Sequence, residues 1–226
     1  MTEKTVIIIP ARYASSRFEG KPLALLNGAT GVARSLIQRS WDTACEVPGV
    51  DDIFVATDND RIAQAVRDFG GQVIMTSDTC RNGTERVAEA LPGLAAPADI
   101  VVNLQGDAPL TPPWFITALI EEMKRDREVQ MATPVLQCDG HTLNMFIEDR
   151  RNGQVGGTTA VFDRNWDALY FSKEVLPFTD KPYAADAGTP VYHHVGAYAY
   201  RPKTLGQYVS WPEGALERLE GLEQLR

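Results

Sequence analysis

The sequence predicts an α/β protein: a largely parallel central sheet with helices on both faces, then a β-rich second half. Three observations carry this. Short, wholly apolar runs recur at Val6-Ile7-Ile8-Ile9, Ile53-Phe54-Val55-Ala56 and Ile100-Val101-Val102, the pattern of strands buried on both faces. Segments of helical period lie between them. Beyond residue 128 strand-like runs follow one another with few helices between.

The first strand ends at Pro10. Val32, Leu36 and Ile37, interleaved with Arg34, Gln38 and Arg39, predict an amphipathic helix. The strand at 53–57 runs into Asp58-Asn59-Asp60, a cap for a helix carrying Ile62, Ala63, Val66 and Phe69. Gly70-Gly71 stops that helix, and 73–75 is a short strand. A helix over 84–91, a strand over 99–104 and a helix over 112–123 opened by Pro-Pro complete the first half. Strands over 129–135, 158–162, 168–171 and 195–200 follow, joined by polar connections around 149–157 and 180–189. A closing helix is predicted over 212–226, where Leu216, Leu219, Leu222 and Leu225 repeat every third residue. The whole chain reads as one domain: a first half over 1–128, a second over 129–211, and the final helix.

The formal net charge is -8, which argues against a nucleic-acid surface but not against a local cationic pocket. No apolar stretch approaches the roughly 20 residues a membrane span needs. Met1-Thr2-Glu3-Lys4 leads straight into the first strand, so no signal peptide is expected and a cytoplasmic location is. Cys45, Cys80 and Cys138 are odd in number and far apart, so neither a disulfide framework nor a zinc site is expected. Cys80, beside Arg81, reads either as a moderately reactive thiol or as an inert loop residue.

Five constellations carry chemistry. Arg12, Arg17 and Lys21 lie on one glycine-containing loop at the end of the first strand. They read as a solvated basic surface or as a polyphosphate cradle, since ligands of open α/β sheets bind at the carboxyl ends of strands. Asp107, in Gln105-Gly106-Asp107-Ala108-Pro109, emerges at the end of another buried strand on the same edge. It suits a Mg²⁺ that is otherwise held by phosphates, or it is a turn aspartate before proline. Arg81-Asn82-Gly83-Thr84-Glu85-Arg86 opens a helix, with Asn82 or Thr84 as its cap, or else presents backbone groups to a pyrimidine edge. In Tyr192-His193-His194-Val195-Gly196-Ala197-Tyr198, strand alternation places His194 and Tyr198 on one face, either as hydrogen-bonding groups for a polyhydroxylated substrate or as core residues. Glu213, Glu217, Glu220 and Glu223 lie on the last helix, as a solvated acidic stripe or as acceptors for sugar hydroxyls. No P-loop, dinucleotide fingerprint or nucleophile elbow is present.

Taken together, the chain resembles the cytidylyltransferases that make CMP-activated acid sugars, above all the 3-deoxy-manno-octulosonate (Kdo) type. The resemblance runs through Ile9-Pro10-Ala11-Arg12, Ser16-Arg17, Gly20-Lys21-Pro22-Leu23, Val55-Ala56-Thr57-Asp58, Met75-Thr76-Ser77, Gly83-Thr84-Glu85-Arg86, Val102-Asn103, Gln105-Gly106-Asp107, Pro109-Leu110 and Ala168-Leu169-Tyr170-Phe171-Ser172. It continues through His194, Gly196, Tyr198, Tyr200-Arg201, Leu216-Glu217 and Leu222-Glu223-Gln224-Leu225-Arg226. It implies a three-layer Rossmann-like nucleotidyltransferase fold with a mixed, mostly parallel sheet and a small β-rich subdomain for acceptor binding and dimerisation. The implied reaction is Mg²⁺-dependent transfer of CMP from CTP to the anomeric hydroxyl of an acid sugar, with release of pyrophosphate, in lipopolysaccharide or capsule precursor synthesis.

On that resemblance Ala11, Arg12, Arg17 and Lys21 hold the triphosphate, Arg81, Gly83 and Thr84 meet cytosine, and Gln105 touches both substrates. Asp107 binds Mg²⁺, Lys173, His194, Tyr198, Glu217 and Glu223 contact the acceptor, and a homodimer is implied. Arg12, Lys21 and Asp107 are the expected catalytic groups. Departures gather on the acceptor side: Lys173 where the family usually has arginine, His193 before His194 where it often has arginine, and Gln154-Val155-Gly156-Gly157-Thr158-Thr159-Ala160-Val161 in place of Asn-Pro-Asn-x-Val-Lys. They leave amino-Kdo, another ulosonic acid or a hydroxyalkylphosphonate open as acceptor. The family pattern also carries a second metal-binding aspartate beyond Leu-Glu-Gln-Leu-Arg, where this sequence ends. Asp107 alone would lean on the triphosphate to hold the ion, and a non-catalytic CTP-binding protein stays open too.

Overall fold

The computed structural model describes residues 3–14, 18–29 and 31–226. The strands are β1 (Thr5–Ala11), β2 (Leu25–Asn27), β3 (Ala33–Ser35), β4 (Asp52–Thr57), β5 (Val73–Met75), β6 (Ile100–Leu104), β7 (Met131–Ala132), β8 (Val135–Asp139), β9 (Thr159–Phe162), β10 (Ala168–Ser172), β11 (Gly188–His194) and β12 (Ala197–Tyr200). The α-helices are α1 (Leu36–Cys45), α2 (Asp60–Asp68), α3 (Gly83–Ala90), α4 (Pro113–Arg125), α5 (Gly140–Arg151), α6 (Pro202–Ser210) and α7 (Ala215–Glu220). They divide between two compact units, Met1–Ala132 with Gly196–Ser210, and Thr133–Val195 with Trp211–Arg226. The stretch expected as one second half, 129–211, is thus split: β12 and α6 return to the first unit.

The first unit is built on a six-stranded sheet of order β5-β4-β1-β6-β12-β7. β5, β4, β1 and β6 run parallel, and β12 and β7 are antiparallel. β1 shows why its sequence is apolar throughout. Ile7, Ile9 and Ala11 pack into a core with side chains of α1, α2 and α4, while Val6 and Ile8 pack on the other face with Val87 of α3 and Leu205 of α6. Each such isoleucine contributes about 2 kcal/mol of burial, and the result is three layers with the sheet in the middle. Caps set the helix starts. Ser35, Asn59 and Asn82 accept backbone N–H bonds in the first turns of α1, α2 and α3. Ser35 also explains one correction: the helix expected from Val32 starts at Leu36, because 33–35 pair with β2 as a hairpin.

The second unit holds a four-stranded antiparallel sheet, order β10-β9-β11-β8, with Cys138, Leu143, Phe146 and Val191 as its core. Here the structure departs most from the sequence expectation. The strand expected over 129–135 is two short strands in different sheets. The sequence expectation assigns no element over 140–148 and a connection from 149, where α5 forms: Asp139 caps it, accepting from Thr142 N at 2.7 Å, and Leu143 and Phe146 bury its face. α6 was not foreseen either. The expected closing helix is only α7, ended by Gly221 in the left-handed region, and then a short 3₁₀ turn over Glu223–Leu225. Leu219 is 82% exposed, so the leucine repeat does not form a buried stripe. Among the described residues no helix is long and apolar enough to cross a membrane.

Candidate active site

Parallel pairing of β1 with β4 and β6, in register Ala11↔Thr57 and Ile8↔Asn103, brings the carboxyl ends of three strands to one edge of the central sheet. Ala11 is the buried last residue of β1, and Arg12 follows it exposed. Gly20 N donates to Tyr13 O at 2.9 Å, closing the loop, and Lys21-Pro22-Leu23 turns as a 3₁₀ segment. Lys21 Nζ then reaches Asp107 Oδ2, 2.6 Å away, on the turn after β6. Two expected site residues 86 positions apart are therefore in direct contact. Arg17 lies outside the described residues.

Gly83, the first residue of α3, closes the same edge. A methyl group there would stand 3.2 Å from Pro10 Cγ and 3.4 Å from Gln105 Oε1. Asn82 settles the capping alternative: its Oδ1 accepts from Glu85 N at 2.8 Å, and its Nδ2 donates to Tyr208 OH at 2.9 Å. Thr84 is fully buried, accepting from Asn103 Nδ2 at 3.4 Å, with Tyr200 OH also 3.4 Å away. Its side chain supports the floor of the site, so only its backbone is suited to meeting a base. Arg81 is turned along α3, where Nε donates to Glu85 Oε1 at 2.8 Å. Gln105 Nε2 donates to Asn103 Oδ1 at 3.4 Å. In the sequence Asn103 stands out only within the family resemblance, and a lone amide inside Val-Val-Asn-Leu is its further signal, because buried polar groups need partners.

Asp107 offers one exposed carboxylate beside a lysine. Among the described residues no group of three or more His, Cys, Asp or Glu could hold a metal ion. A donor set of this kind suits Mg²⁺, which ordinarily takes one or two protein carboxylates and completes its shell with phosphate oxygens and water.

The acceptor-side candidates take a different arrangement from the one expected. His194 ends β11 in the four-stranded sheet, whereas Tyr198 lies in β12 of the central sheet, packed beside Tyr200 at 6.0 Å between ring centroids. The chain changes sheets at Val195-Gly196, so strand alternation does not carry across and the two do not share a face. Within the second unit His194 is buried, with Nε2 2.9 Å from Thr133 Oγ1 and its ring edge-on to Phe171 at 4.9 Å. Burial, and secondarily the neighbouring His193, push its pKa down to about 4, so it is neutral at physiological pH. His193 packs on Phe146 at 5.3 Å. A Cβ on Gly157 would meet Phe146 Cζ at 2.7 Å and His193 Cδ2 at 3.0 Å. The two departures at Gly157 and His193 therefore form one packing arrangement.

The acidic stripe resolves into separate roles. Glu217 is buried: Arg226 Nε donates to its Oε2 at 2.8 Å and Gly214 N does so at 3.1 Å. Glu223 starts the final 3₁₀ turn, half-buried. Glu220, the last residue of α7, accepts from Tyr170 OH, Ser172 Oγ and Lys173 N. A solvated stripe is thus wrong for Glu217 and Glu220. The available signal was a glutamate in the last turn of a helix, where the dipole disfavours it and a tertiary partner must compensate. Lys173 is half-buried, and among the described residues no carboxylate pairs with its ammonium. Cys80 is inert: burial, then its 2.8 Å bond to Glu89, push the thiol up to about 12.

The profile of the family described as Cytidylyltransferase matches residues 6–226. A 3-deoxy-manno-octulosonate cytidylyltransferase of Maricaulis maris is 48% identical over 219 residues, 97% of this chain and 82% of that protein. An 8-amino-3,8-dideoxy-manno-octulosonate cytidylyltransferase of Shewanella halifaxensis is 41% identical over 97% of this chain and 84% of that protein. Among solved structures, a CMP:2-keto-3-deoxy-manno-octonic acid synthetase complexed with CTP superposes with a TM-score of 0.82 at 37% identity, over 98% of this chain and 84% of that one.

Proposed function

The chain belongs to the cytidylyltransferase family, and from that premise we propose that it transfers CMP from CTP to the anomeric hydroxyl of Kdo. The acceptor oxygen forms a bond to the α-phosphorus, the bond from that phosphorus to the β-phosphate bridging oxygen breaks, pyrophosphate leaves, and the hydroxyl proton passes to solvent. Such a transfer needs placement and charge neutralisation more than a covalent intermediate.

The observation that carries this reading is the meeting of Lys21 and Asp107 at the shared carboxyl edge of β1 and β6. Lys21, with Arg12 and Arg17, neutralises the triphosphate. Gly83 and Thr84 present backbone groups at the helix start to the cytosine, and Gln105 lies beside them. Asp107 would hold Mg²⁺, which when bound would supply charge neutralisation at the phosphates. On the acceptor side Lys173 meets the sugar carboxylate, an assignment supported by its half-buried ammonium lacking a carboxylate partner among the described residues. The same proposal includes a homodimer, for which exposed Trp166 in the β9–β10 turn and exposed Leu169 of β10 are the support, and a cytoplasmic location.

The 8-amino-Kdo relative makes that sugar a second acceptor to test. Pyrophosphate release is measured with CTP, Mg²⁺ and a panel of Kdo, 8-amino-Kdo, other ulosonic acids and a hydroxyalkylphosphonate. Release with Kdo is expected. Release only with another acid reassigns the acceptor, and CTP binding without release from any of them overturns the enzymatic reading.

A further inference from the structure

We propose that Glu220 is a positioning residue for Lys173, fixing the ammonium that receives the acceptor's carboxylate. The inference rests on the role given to Lys173 above. Glu220 spends both carboxylate oxygens on the end of β10. Oε1 accepts from Tyr170 OH at 3.1 Å and from Ser172 Oγ at 2.6 Å, and Oε2 accepts from Lys173 N at 2.9 Å. Burial alone would raise this carboxyl. The bonds from Lys173 N, Ser172 and Tyr170, with the nearby Lys173 charge, take it below its ordinary value.

Three donors from residues 170–173 thus converge on one side chain from α7. The backbone of Lys173 is pinned, while among the described residues no carboxylate pairs with its ammonium. The ammonium runs toward Gly221, the left-handed cap of α7 at φ 62°. A Cβ there would stand 3.0 Å from Lys173 Nζ, so the bare glycine leaves the ammonium its place. Helix carbonyls point out at that end of α7, an environment that favours a cation. Glu220 therefore fixes the backbone of the lysine, while its charge reaches the ammonium only through space, because its short contacts are with a peptide N–H and two hydroxyls. An ammonium held this way is poised for an incoming anion, and a lysine, unlike an arginine, needs such placement because it has no planar fork of its own.

The test compares wild type, Glu220→Gln, Ser172→Ala, Lys173→Ala and the double variant E220Q/K173A in steady-state kinetics, using the acid that releases pyrophosphate in the panel, Kdo by expectation. Glutamine is isosteric, but its amide nitrogen cannot accept from Lys173 N. E220Q is expected to raise acceptor KM about tenfold with CTP KM within about twofold. S172A removes one bond to Glu220 without touching the one to Lys173 N, and leaves acceptor KM within about twofold. On the K173A background E220Q adds nothing further, the coupling expected of residues acting as a unit. Equal shifts in both KM values, an S172A effect as large as that of E220Q, or an undiminished E220Q effect on the K173A background overturns the proposal. An unchanged acceptor KM in E220Q that melts like wild type does so as well. If K173A itself leaves acceptor KM unchanged, the parent assignment of Lys173 fails, and the positioning role with it. Should E220Q not fold, Glu220→Asp, which keeps both oxygens, is held to the same criteria.

Discussion

Lys21 Nζ stands 2.6 Å from Asp107 Oδ2, tying the loop after β1 to the turn after β6. Both side chains are substantially exposed, 39% and 53%. A pair of this kind adds at most about 1 kcal/mol to stability. Its consequence lies in where it holds two opposite charges at a ligand-binding edge.

Asp107→Asn keeps the shape of that residue and removes its charge. Turnover at saturating CTP and millimolar Mg²⁺ is expected to fall by about 100-fold or more, with the melting temperature within a few degrees of wild type. Retained turnover would sink the metal role.

The pair also sets Lys21 against a metal ion for the same oxygen. Lys21→Met should therefore weaken CTP binding while tightening Mn²⁺ in the absence of nucleotide, the latter by about tenfold. Calorimetry for CTP and the paramagnetic signal of free Mn²⁺ read the two effects separately. Both affinities moving in the same direction would contradict the competition.

His194 is neutral when folded, its pKa held at about 4, but takes a proton near pH 6.5 when unfolded. Between those values the unfolded state binds more protons, so stability is full above about pH 6.5 and is lost as pH falls toward about 4, by up to roughly 3 kcal/mol. Urea midpoints across this range should slope in wild type and flatten in His194→Asn. Equal slopes would show that another group governs the acid limb.

With its thiol pushed up to about 12 and bonded to Glu89, Cys80 should resist iodoacetamide at pH 8. Glu89→Gln removes the carboxylate and should speed modification at this site by about tenfold. Peptide mapping by mass spectrometry locates the label, and rapid labelling of wild-type Cys80 would be inconsistent with the half-buried, hydrogen-bonded thiol.

Gly157→Ala would place a methyl group 2.7 Å from Phe146 Cζ and 3.0 Å from His193. Overpacking of this kind costs about 1–3 kcal/mol, read as a lowered denaturant midpoint. His193→Ala on the same background should recover part of the loss, because it clears one of the two clashing rings. No loss in the single variant would mean that the neighbours give way freely.

The first unit was largely legible in the sequence. Val6–Ile9 could only be a strand buried on both faces, and Asn59 and Asn82 sit where helices need their first N–H groups met. The carboxyl-edge residues followed, since Lys21 and Asp107 each come just after such a strand. The second unit was far less legible. α5 has a cap and one buried face, yet its apolar residues are too few to dominate the polar ones around them. His194 and Tyr198 misled because strand alternation holds only while the chain stays in one sheet.

By itself the sequence determined which strands are buried, where the parallel edge lies, and which charges stand on it. These follow from local composition and from the short range over which a strand or cap is specified. Tertiary structure decided which charges are spent. Glu217, in the same acidic run as Glu220, is closed off by Arg226, Glu220 is consumed by the end of β10, and Lys173 is left with an ammonium that no described carboxylate pairs. Partner choice depends on what packing brings within about 3 Å, and residues 173 and 220 meet only because α7 closes against the end of β10.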